Sequence, residues 1–288
     1  GSIGMRASFA VAATMNINVT AVNDPPVGAN KTITTLEDTA YTFASADFGF
    51  SDPTDTPANT LLAVKITTLP ASGTLKLSGV NVTAGQVITA ANIGNLTWTP
   101  AANANGTGVA SFTFQVQDNG GTANGGIDTD PSADTITFNV TTVNDAPAGT
   151  DKTITTLEDT AYTFAAADFG FSDTNDAPAN TLAGVKITTL PVSGTLKLSG
   201  VNVTAGQVIA VGDIGNLTWT PALNANGTGI ASFTFQVQDN GGTASGGIDL
   251  DASDNTITFN VTAVNDTPAG ADKTITTNED TAYTFAAA

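Results

Sequence analysis

The sequence predicts an all-β chain built from tandem seven-stranded antiparallel Greek-key β-sandwiches. Three observations predict this fold: the chain repeats itself with a long period, its apolar residues alternate with polar ones, and turn-forming residues separate the alternating runs. The composition agrees, because 41% of the residues are hydrophobic and only 12% are charged, which is enough apolar material to form a core. At 288 residues, the chain is long enough for about two domains.

Two near-copies of one unit make up most of the chain. The tripeptide Val-Asn-Asp begins at Val22, Val143 and Val264, and both intervals are 121 residues. The two copies are identical at 98 of 121 aligned positions, which indicates a recent duplication. We expect four segments: residues 1–21, a cloning remnant followed by the last strand of a preceding repeat; residues 22–142 and 143–263, two complete repeats; and residues 264–288, the first strands of a truncated third repeat.

Strict alternation marks the strands of each copy. Phe112, Phe114 and Val116 alternate with polar residues, as expected for a strand with one buried face. The same period predicts strands near residues 31–35, 40–44, 62–69, 74–78, 95–99, 108–118 and 134–143 of the first copy, with one helical turn near 89–93. Seven short strands in one repeat are typical of an immunoglobulin-like sandwich. The predicted core is centred on Trp98, Phe112, Phe114 and Phe138.

Acidic residues dominate the charge of the chain. There are 26 Asp and Glu against 8 Lys and Arg, and the net charge of −18 disfavours binding to nucleic acid or an anionic membrane surface and favours cations as partners. The sequence has no Cys and no His, which excludes disulfides, Cys/His zinc sites and imidazole bases. No apolar stretch approaches the ~18 residues of a membrane-spanning helix, so we expect no membrane insertion.

Strand direction should bring the acidic turns of neighbouring copies to one junction. If successive strands alternate in direction, the turn after the first strand lies where the chain leaves the repeat, and the two acidic loops lie where the chain arrives. This expectation requires that the extra segment 81–88 leaves the order of directions unchanged. For the junction between the two copies, the predicted set is Glu37, Asp38, Asn144, Asp145, Asp173, Asp176, Asp239, Asp249 and Asp251.

Equivalent acidic positions occur at the other two junctions. They are Asp24, Asp52, Asp55, Asp118, Asp128 and Asp130 at the start of the first copy, and Glu158, Asp159 and Asp266 at the end of the second. So many carboxylates with few basic partners would repel one another. Hard oxygen ligands on flexible loops favour Ca²⁺ over Mg²⁺. The alternative is that these acids are solvated turn formers, an interpretation that is stronger still for Asp47, Asp151 and Asp213.

Several motifs together resemble the bacterial cadherin-like (immunoglobulin-like) tandem repeats of large type I-secreted surface adhesins. They are the Val-Asn-Asp-x-Pro linker, the Leu-Glu-Asp-Thr turn, the Ser-Asp-x-x-Asp loop, Thr-Trp-Thr-Pro at 97–100, Asn105-Gly106-Thr107 and the closing Ile-Thr-Phe-Asn-Val-Thr. The resemblance implies an extracellular location on a bacterial cell surface. It also implies calcium ligation by Glu37, by Asn144 and Asp145 of the linker, and by Asp173 and Asp176. Leu-Glu-Asp-Thr stands where animal cadherins have a Pro-Glu-Asn-type motif.

The predicted function is that of a structural extender, a calcium-rigidified repeat of a large bacterial adhesin that holds distal binding domains away from the cell. Its partners would be neighbouring repeats of the same chain and, through other domains, cell-surface or matrix ligands. The alternative is an adhesion module that itself binds a glycan or pairs homotypically. We expect no enzyme. A glycosidase pair of carboxylates is disfavoured because the acids repeat in each copy among turn residues, and no Ser or Thr has a His to activate it.

Three smaller interpretations concern single residues and the ends of the chain. Lys65 or Lys76 could form an isopeptide bond with a nearby Asn, although a lysine that solvates the sheet is the simpler explanation. Asn-x-Thr sequons arise where Asn and Thr alternate on a strand, so they carry little information on glycosylation. The strand-like segments 17–21 and 274–285 could pair between molecules.

Overall fold

A computed structural model of the protein describes residues 14–287 and contains two repeats of the same fold. The chain divides into two compact units, with the main boundary between Asn144 and Asp145. The predicted cloning remnant lies outside the described residues. Residues 14–21 and 263–287 contain no strand, because no neighbouring strand pairs with them, so their likeness to the strands of the repeat is one of sequence.

Nine strands form the first repeat, two more than the sequence predicts. They are β1 (Lys31–Leu36), β2 (Tyr41–Thr42), β3 (Leu61–Ile66), β4 (Thr74–Leu77), β5 (Val80–Asn81), β6 (Val87–Thr89), β7 (Leu96–Thr99), β8 (Gly106–Asp118) and β9 (Asp134–Thr141). All seven predicted strands are present. The additional β5 and β6 have only two and three residues, too few for alternation to reveal them. Each added strand reverses the direction of the chain, and two reversals cancel. The strands after β6 therefore run in the directions that the sequence predicts.

The strands of the first repeat form two sheets. One has the order β1-β9-β8-β3-β6 and the other β2-β7-β4-β5. All pairs are antiparallel except β1 with β9, which is parallel over six positions. The prediction of a purely antiparallel sandwich is therefore wrong at this edge. Strand β2, which follows β1, belongs to the other sheet and cannot pair with it. The neighbour of β1 is therefore β9, the last strand of the repeat, which runs in the same direction as β1.

The second repeat has the same nine strands and the same sheet orders. They are β10 (Lys152–Leu157), β11 (Tyr162–Thr163), β12 (Leu182–Ile187), β13 (Thr195–Leu198), β14 (Val201–Asn202), β15 (Val208–Ala210), β16 (Leu217–Thr220), β17 (Gly227–Asp239) and β18 (Asn255–Thr262). Strands β10 and β18 form the parallel pair of this repeat.

Aromatic side chains fill the core as the sequence predicts. The four predicted core residues, Trp98, Phe112, Phe114 and Phe138, are all buried. The Trp98 ring stacks on Phe138 with centroids 3.8 Å apart. Phe48 joins the core from a short 3₁₀ helix, Ser45–Phe48, and its ring lies 4.9 Å from that of Phe114. With apolar groups filling the space between the sheets, the polar side chains that could bind a ligand are left to the loops at the two ends.

The helical content consists of short 3₁₀ turns. Ala90–Asn95 forms the helical turn that the sequence predicts near this position. The part of the chain that the structure describes contains no helix long and apolar enough to cross a membrane.

Candidate cation site

Three segments of the first repeat converge at the end where the chain arrives, which we call the upstream end. They are the linker Asn23-Asp24, the loop 52–59 and the loop 118–130. The backbone N–H of Asp24 donates to Oδ2 of Asp55 at 3.0 Å. The N–H of Ile127 donates to the backbone oxygen of Asn23, also at 3.0 Å. Strand direction thus places the linker and both acidic loops of this repeat side by side.

Asp118 is the most enclosed carboxylate of the upstream end, with none of its surface exposed. It is the last residue of β8, so the strand fixes its position. Its Oδ1 accepts a hydrogen bond from the N–H of Gly120 at 2.8 Å, and the Asn23 amide also donates to it. Burial raises the pKa of Asp118 despite these hydrogen bonds, which lower it, and the charges of Asp52 and Asp128 raise it further.

Asp52 contributes a buried oxygen that has no hydrogen-bond partner among the described residues. The side chain is only 7% exposed, and its Oδ2 accepts the N–H of Asn59 at 2.5 Å, whereas Oδ1 accepts nothing. The second repeat has the same arrangement: Asp173 accepts the N–H of Asn180 through Oδ2, and its buried Oδ1 is unpartnered. A buried carboxylate oxygen without a donor is costly, so this oxygen is suited to meet a cation.

Two asparagines that the predicted set omits connect these carboxylates. The Nδ2 of Asn59 donates to Oδ1 of Asn23 at 2.5 Å and lies 3.2 Å from Oδ2 of Asp55. The Nδ2 of Asn23 donates in turn to the oxygen of Ile127 at 2.7 Å. Asn23 could have been found from the repeat, since its counterpart Asn144 belongs to the predicted set. Asn59 gave no signal, because asparagine is common in turns.

Asp128 and Asp130 already accept hydrogen bonds from protein groups. Gln117 donates to Oδ2 of Asp128 at 3.0 Å. Asp130 is 2% exposed and accepts the N–H groups of Gly28, at 2.7 Å, and of Ser132, at 2.9 Å. Their counterparts Asp249 and Asp251 accept hydrogen bonds from Gln238 and Gly149 in the same way. These hydrogen bonds fix the shape of the loop, and ion binding by these four residues stays a prediction.

Glu37 occupies the opposite end of the repeat, which we call the downstream end. It lies in the turn after β1 and is only 3% exposed. Its carboxylate accepts the backbone N–H of Val143 and the Nδ2 of Asn105, the latter at 3.3 Å. Val143 is the first residue of the linker to the next repeat, so this glutamate anchors the start of that linker.

The second repeat contains an equivalent anchor. Glu158 accepts the N–H of Val264 at 2.5 Å and the Nδ2 of Asn226 at 3.0 Å. The aspartates that follow the two anchors, Asp38 and Asp159, adopt the left-handed conformation with φ of 54° and 58°. They form the turn, and Oδ1 of Asp159 accepts the N–H of Asn224 at 3.2 Å.

The remaining predicted residues lie in linkers and loops of the second repeat. Asn144 and Asp145 follow β9, Asp176 lies between β11 and β12, and Asp266 is exposed in the segment after β18. Asp239 ends β17, is 2% exposed and accepts the N–H of Gly241 at 2.8 Å. Whether any of these residues binds an ion stays a prediction.

The donor set of the upstream end fits a hard divalent cation. Asp52, Asp55, Asp118 and two amide side chains offer oxygens, from the end of β8, the linker and the loop 52–59. The ion pairs found among the described residues join Lys31 to Asp47 and Lys152 to Asp168, so no lysine neutralises these three carboxylates. An all-oxygen set is the kind that Ca²⁺ prefers, with about six to eight ligands.

Comparison with known proteins places both repeats in one family. A family model described as "Bacterial Ig domain" matches residues 23–130 and 144–251. Human mucin-like protocadherin EC1-2 is similar in structure, with 15% identity over 83% of this chain and 98% of that chain and a TM-score of 0.39. Mouse cadherin-23 EC22-24 has 12% identity over 83% and 67% of the two chains and a TM-score of 0.42. A search of curated proteins found no match.

Proposed function

The chain belongs to the bacterial Ig domain family, and from this membership we propose that it is a calcium-rigidified structural extender of a large bacterial cell-surface adhesin. In this proposal the protein is extracellular, its repeats hold distal binding domains away from the cell, and its immediate partners are the neighbouring repeats of the same chain. The proposal includes no catalytic activity.

The buried Oδ1 of Asp52 is the observation that supports calcium most directly. It lies in a cluster with Asp55 and Asp118 that contains no lysine or arginine, and Asp173 repeats it in the second copy. When bound there, calcium would neutralise the carboxylates and fix the loops that carry them. Asp52, Asp55, Asp118 and Asn23 are the residues that we propose hold it in the first repeat.

Both ends of the first repeat hold a part of a linker, and this supports rigidification. The upstream cluster includes the linker residues Asn23 and Asp24. The downstream anchor Glu37 holds Val143, the first residue of the following linker. A cation that tightens the upstream cluster therefore also tightens the linker that enters it. Repeats joined by such linkers would lengthen an array in proportion to their number.

A calcium titration of this chain tests the proposal. We expect calorimetry to show uptake of calcium, and a higher melting temperature in millimolar calcium than in chelator, since an ion bound only by the folded state stabilises it, by about 2.7 kcal/mol at a hundred times the dissociation constant. Small-angle scattering should show a narrower range of end-to-end distances in calcium. Magnesium at the same concentration is the control. Melting and scattering curves that are unchanged by chelator would refute the proposal.

A further inference from the structure

The side chain of Asn23 is held between oxygens from two parts of the loop 118–130. Its Nδ2 lies 3.1 and 3.3 Å from the two carboxylate oxygens of Asp118 and 2.7 Å from the backbone oxygen of Ile127. Its Oδ1 accepts the Nδ2 of Asn59. These partners fix the orientation of the amide, because a backbone carbonyl can only accept and an amide nitrogen can only donate.

Two glycines make room for this side chain. A Cβ added at Gly120 would overlap the Asn23 amide and lie 2.5 Å from Nδ2 of Asn59. A Cβ at Gly126 would lie 3.1 Å from the Cβ of Asn23. The backbone therefore approaches Asn23 closely from two sides, and the loop is shaped around this one amide.

The amide N–H competes with a cation for the same oxygens. Asp118 belongs to the set that we propose holds calcium, and the Asn23 hydrogens point at its carboxylate. A carboxylate oxygen can meet either an N–H or a metal ion along that direction. If the amide rotated by half a turn, it would present Oδ1, a hard oxygen of the kind that calcium accepts from asparagine.

We propose, as an inference that rests on the proposed function, that Asn23 is a latch residue of the cation site. In one state its amide donates to Asp118 and Ile127 and holds the two parts of the loop together. In the other state it turns and presents its oxygen to the ion. Because the first state must open before the second forms, the apparent affinity of the site equals its intrinsic affinity multiplied by the fraction of molecules that are unlatched. Asn23 thus sets the calcium concentration at which the repeat responds.

The variant Asn23→Asp separates the two states. Aspartate keeps the size and the oxygens of asparagine but has no N–H, and it adds a negative charge beside Asp118. We expect its melting temperature in chelator to fall by about 5 °C or more relative to the wild type, because the hydrogen bonds to Asp118 and Ile127 are lost and a negative charge is placed beside Asp118. In millimolar calcium it should return to the wild-type value or exceed it. A residue with a purely structural role would lower the melting temperature in both conditions.

The matched control is Asn30→Asp. It adds the same charge to the same repeat, and the second repeat already carries Asp151 at the equivalent position, where its Oδ1 accepts the N–H of Thr256 as that of Asn30 accepts the N–H of Thr135. We expect this variant to melt like the wild type with and without calcium. In the wild type, the side-chain amide resonances of Asn23 should show protected hydrogens in chelator and lose that protection on calcium addition.

Calorimetry on the wild type keeps the two proposals apart. If the wild type takes up no calcium, the proposed function fails and the latch fails with it. If the wild type binds calcium but Asn23→Asp melts normally in chelator, or remains destabilised in calcium, the latch is refuted and the proposed function stands.

Discussion

The Nζ of Lys31 lies 2.6 Å from Oδ1 of Asp47, and this carboxylate is only 4% exposed. Its other oxygen accepts the N–H of Ala44 at 2.8 Å and the hydroxyl of Tyr41 at 3.1 Å. One aspartate therefore joins the edge strand β1 to β2 and to the 3₁₀ helix that follows it. Asp168 repeats these contacts with Lys152 at 2.7 Å.

We expect Asp168→Ala to destabilise the second repeat by about 1–3 kcal/mol, because it leaves an N–H and a hydroxyl without their acceptor. Urea unfolding measures this change. The control is Asp213→Ala in the same repeat, where the side chain is exposed and the expected change is within about 0.5 kcal/mol. Equal effects of the two substitutions would show that the contacts of Asp168 with its neighbouring strands do not stabilise the repeat.

The contribution of Asp134 to the stability of the first repeat should be less favourable at neutral than at acid pH. Burial raises the pKa of Asp134 above its usual 3.8, and the charge and hydrogen bond of Asp130 raise it further. The folded state then binds the proton more tightly than the unfolded state, so stability is lost as pH rises from below 3.8 through the folded-state pKa. The second repeat has Asn255 in this place, whose Nδ2 donates to Asp251 at 2.7 Å.

The substitution Asp134→Asn tests this pH dependence. We expect it to stabilise the first repeat by about 1 kcal/mol at pH 7, with a gain that disappears toward acid pH. The reciprocal change Asn255→Asp should destabilise the second repeat at pH 7 and not in acid. Denaturant unfolding at pH 7 and at acid pH measures the free energy of unfolding of each variant. If Asp134→Asn stabilised the repeat equally at both pH values, the effect would come from packing and not from charge.

Asp52→Asn should change calcium binding and stability in opposite directions. Removing one of several clustered charges relieves repulsion. We therefore expect the free energy of unfolding in chelator to be unchanged or to rise by up to about 1 kcal/mol. Removing a charged ligand should weaken calcium binding by at least about tenfold. Calorimetry and melting on the variant, with Asp213→Asn as the control, provide both numbers. Undiminished calcium affinity would exclude Asp52 as a ligand.

Glu37→Ala should free the start of the linker. The substitution leaves the N–H of Val143 and the amide of Asn105 without their acceptor, which we expect to cost about 1–3 kcal/mol. Hydrogen exchange at the Val143 amide should become faster, while exchange within β8 stays slow. Asp38→Asn is the matched control, because it changes the neighbouring charge without removing the anchor. A Val143 amide that remains protected in Glu37→Ala would contradict this role.

Much of the fold could be predicted from the sequence because alternation is a local signal. Phe112, Phe114 and Val116 identify β8 without knowledge of its neighbours. The pairing of β1 with β9 could not be predicted, since it joins residues about a hundred positions apart and depends on which sheet each strand enters. The very short β5 and β6 were missed for lack of length.

The prediction from the sequence includes the acidic residues of the candidate site but not the asparagines that connect them. Asp52, Asp55 and Asp118 stand out as acids in turns, and strand direction places them together. Asn23 is detectable from the repeat through its counterpart Asn144, whereas Asn59 becomes visible only in the folded repeat, since its partner Asn23 lies in another segment of the chain. The expectation that Asp47 is a solvated turn former is wrong, because Lys31 and Tyr41 enclose it.

The parallel edge pair also determines how a repeat responds to tension along the chain. Force on an array would pull the start of β1 and the end of β9 in opposite directions. These strands lie side by side in register from Lys31 with Ile136 to Leu36 with Thr141 and run the same way. Pulling therefore shears the two strands along their length. The hydrogen bonds between them then share the force at the same time and do not break one after another. Mechanical toughness would thus come from the edge of the sheet, independently of any ion.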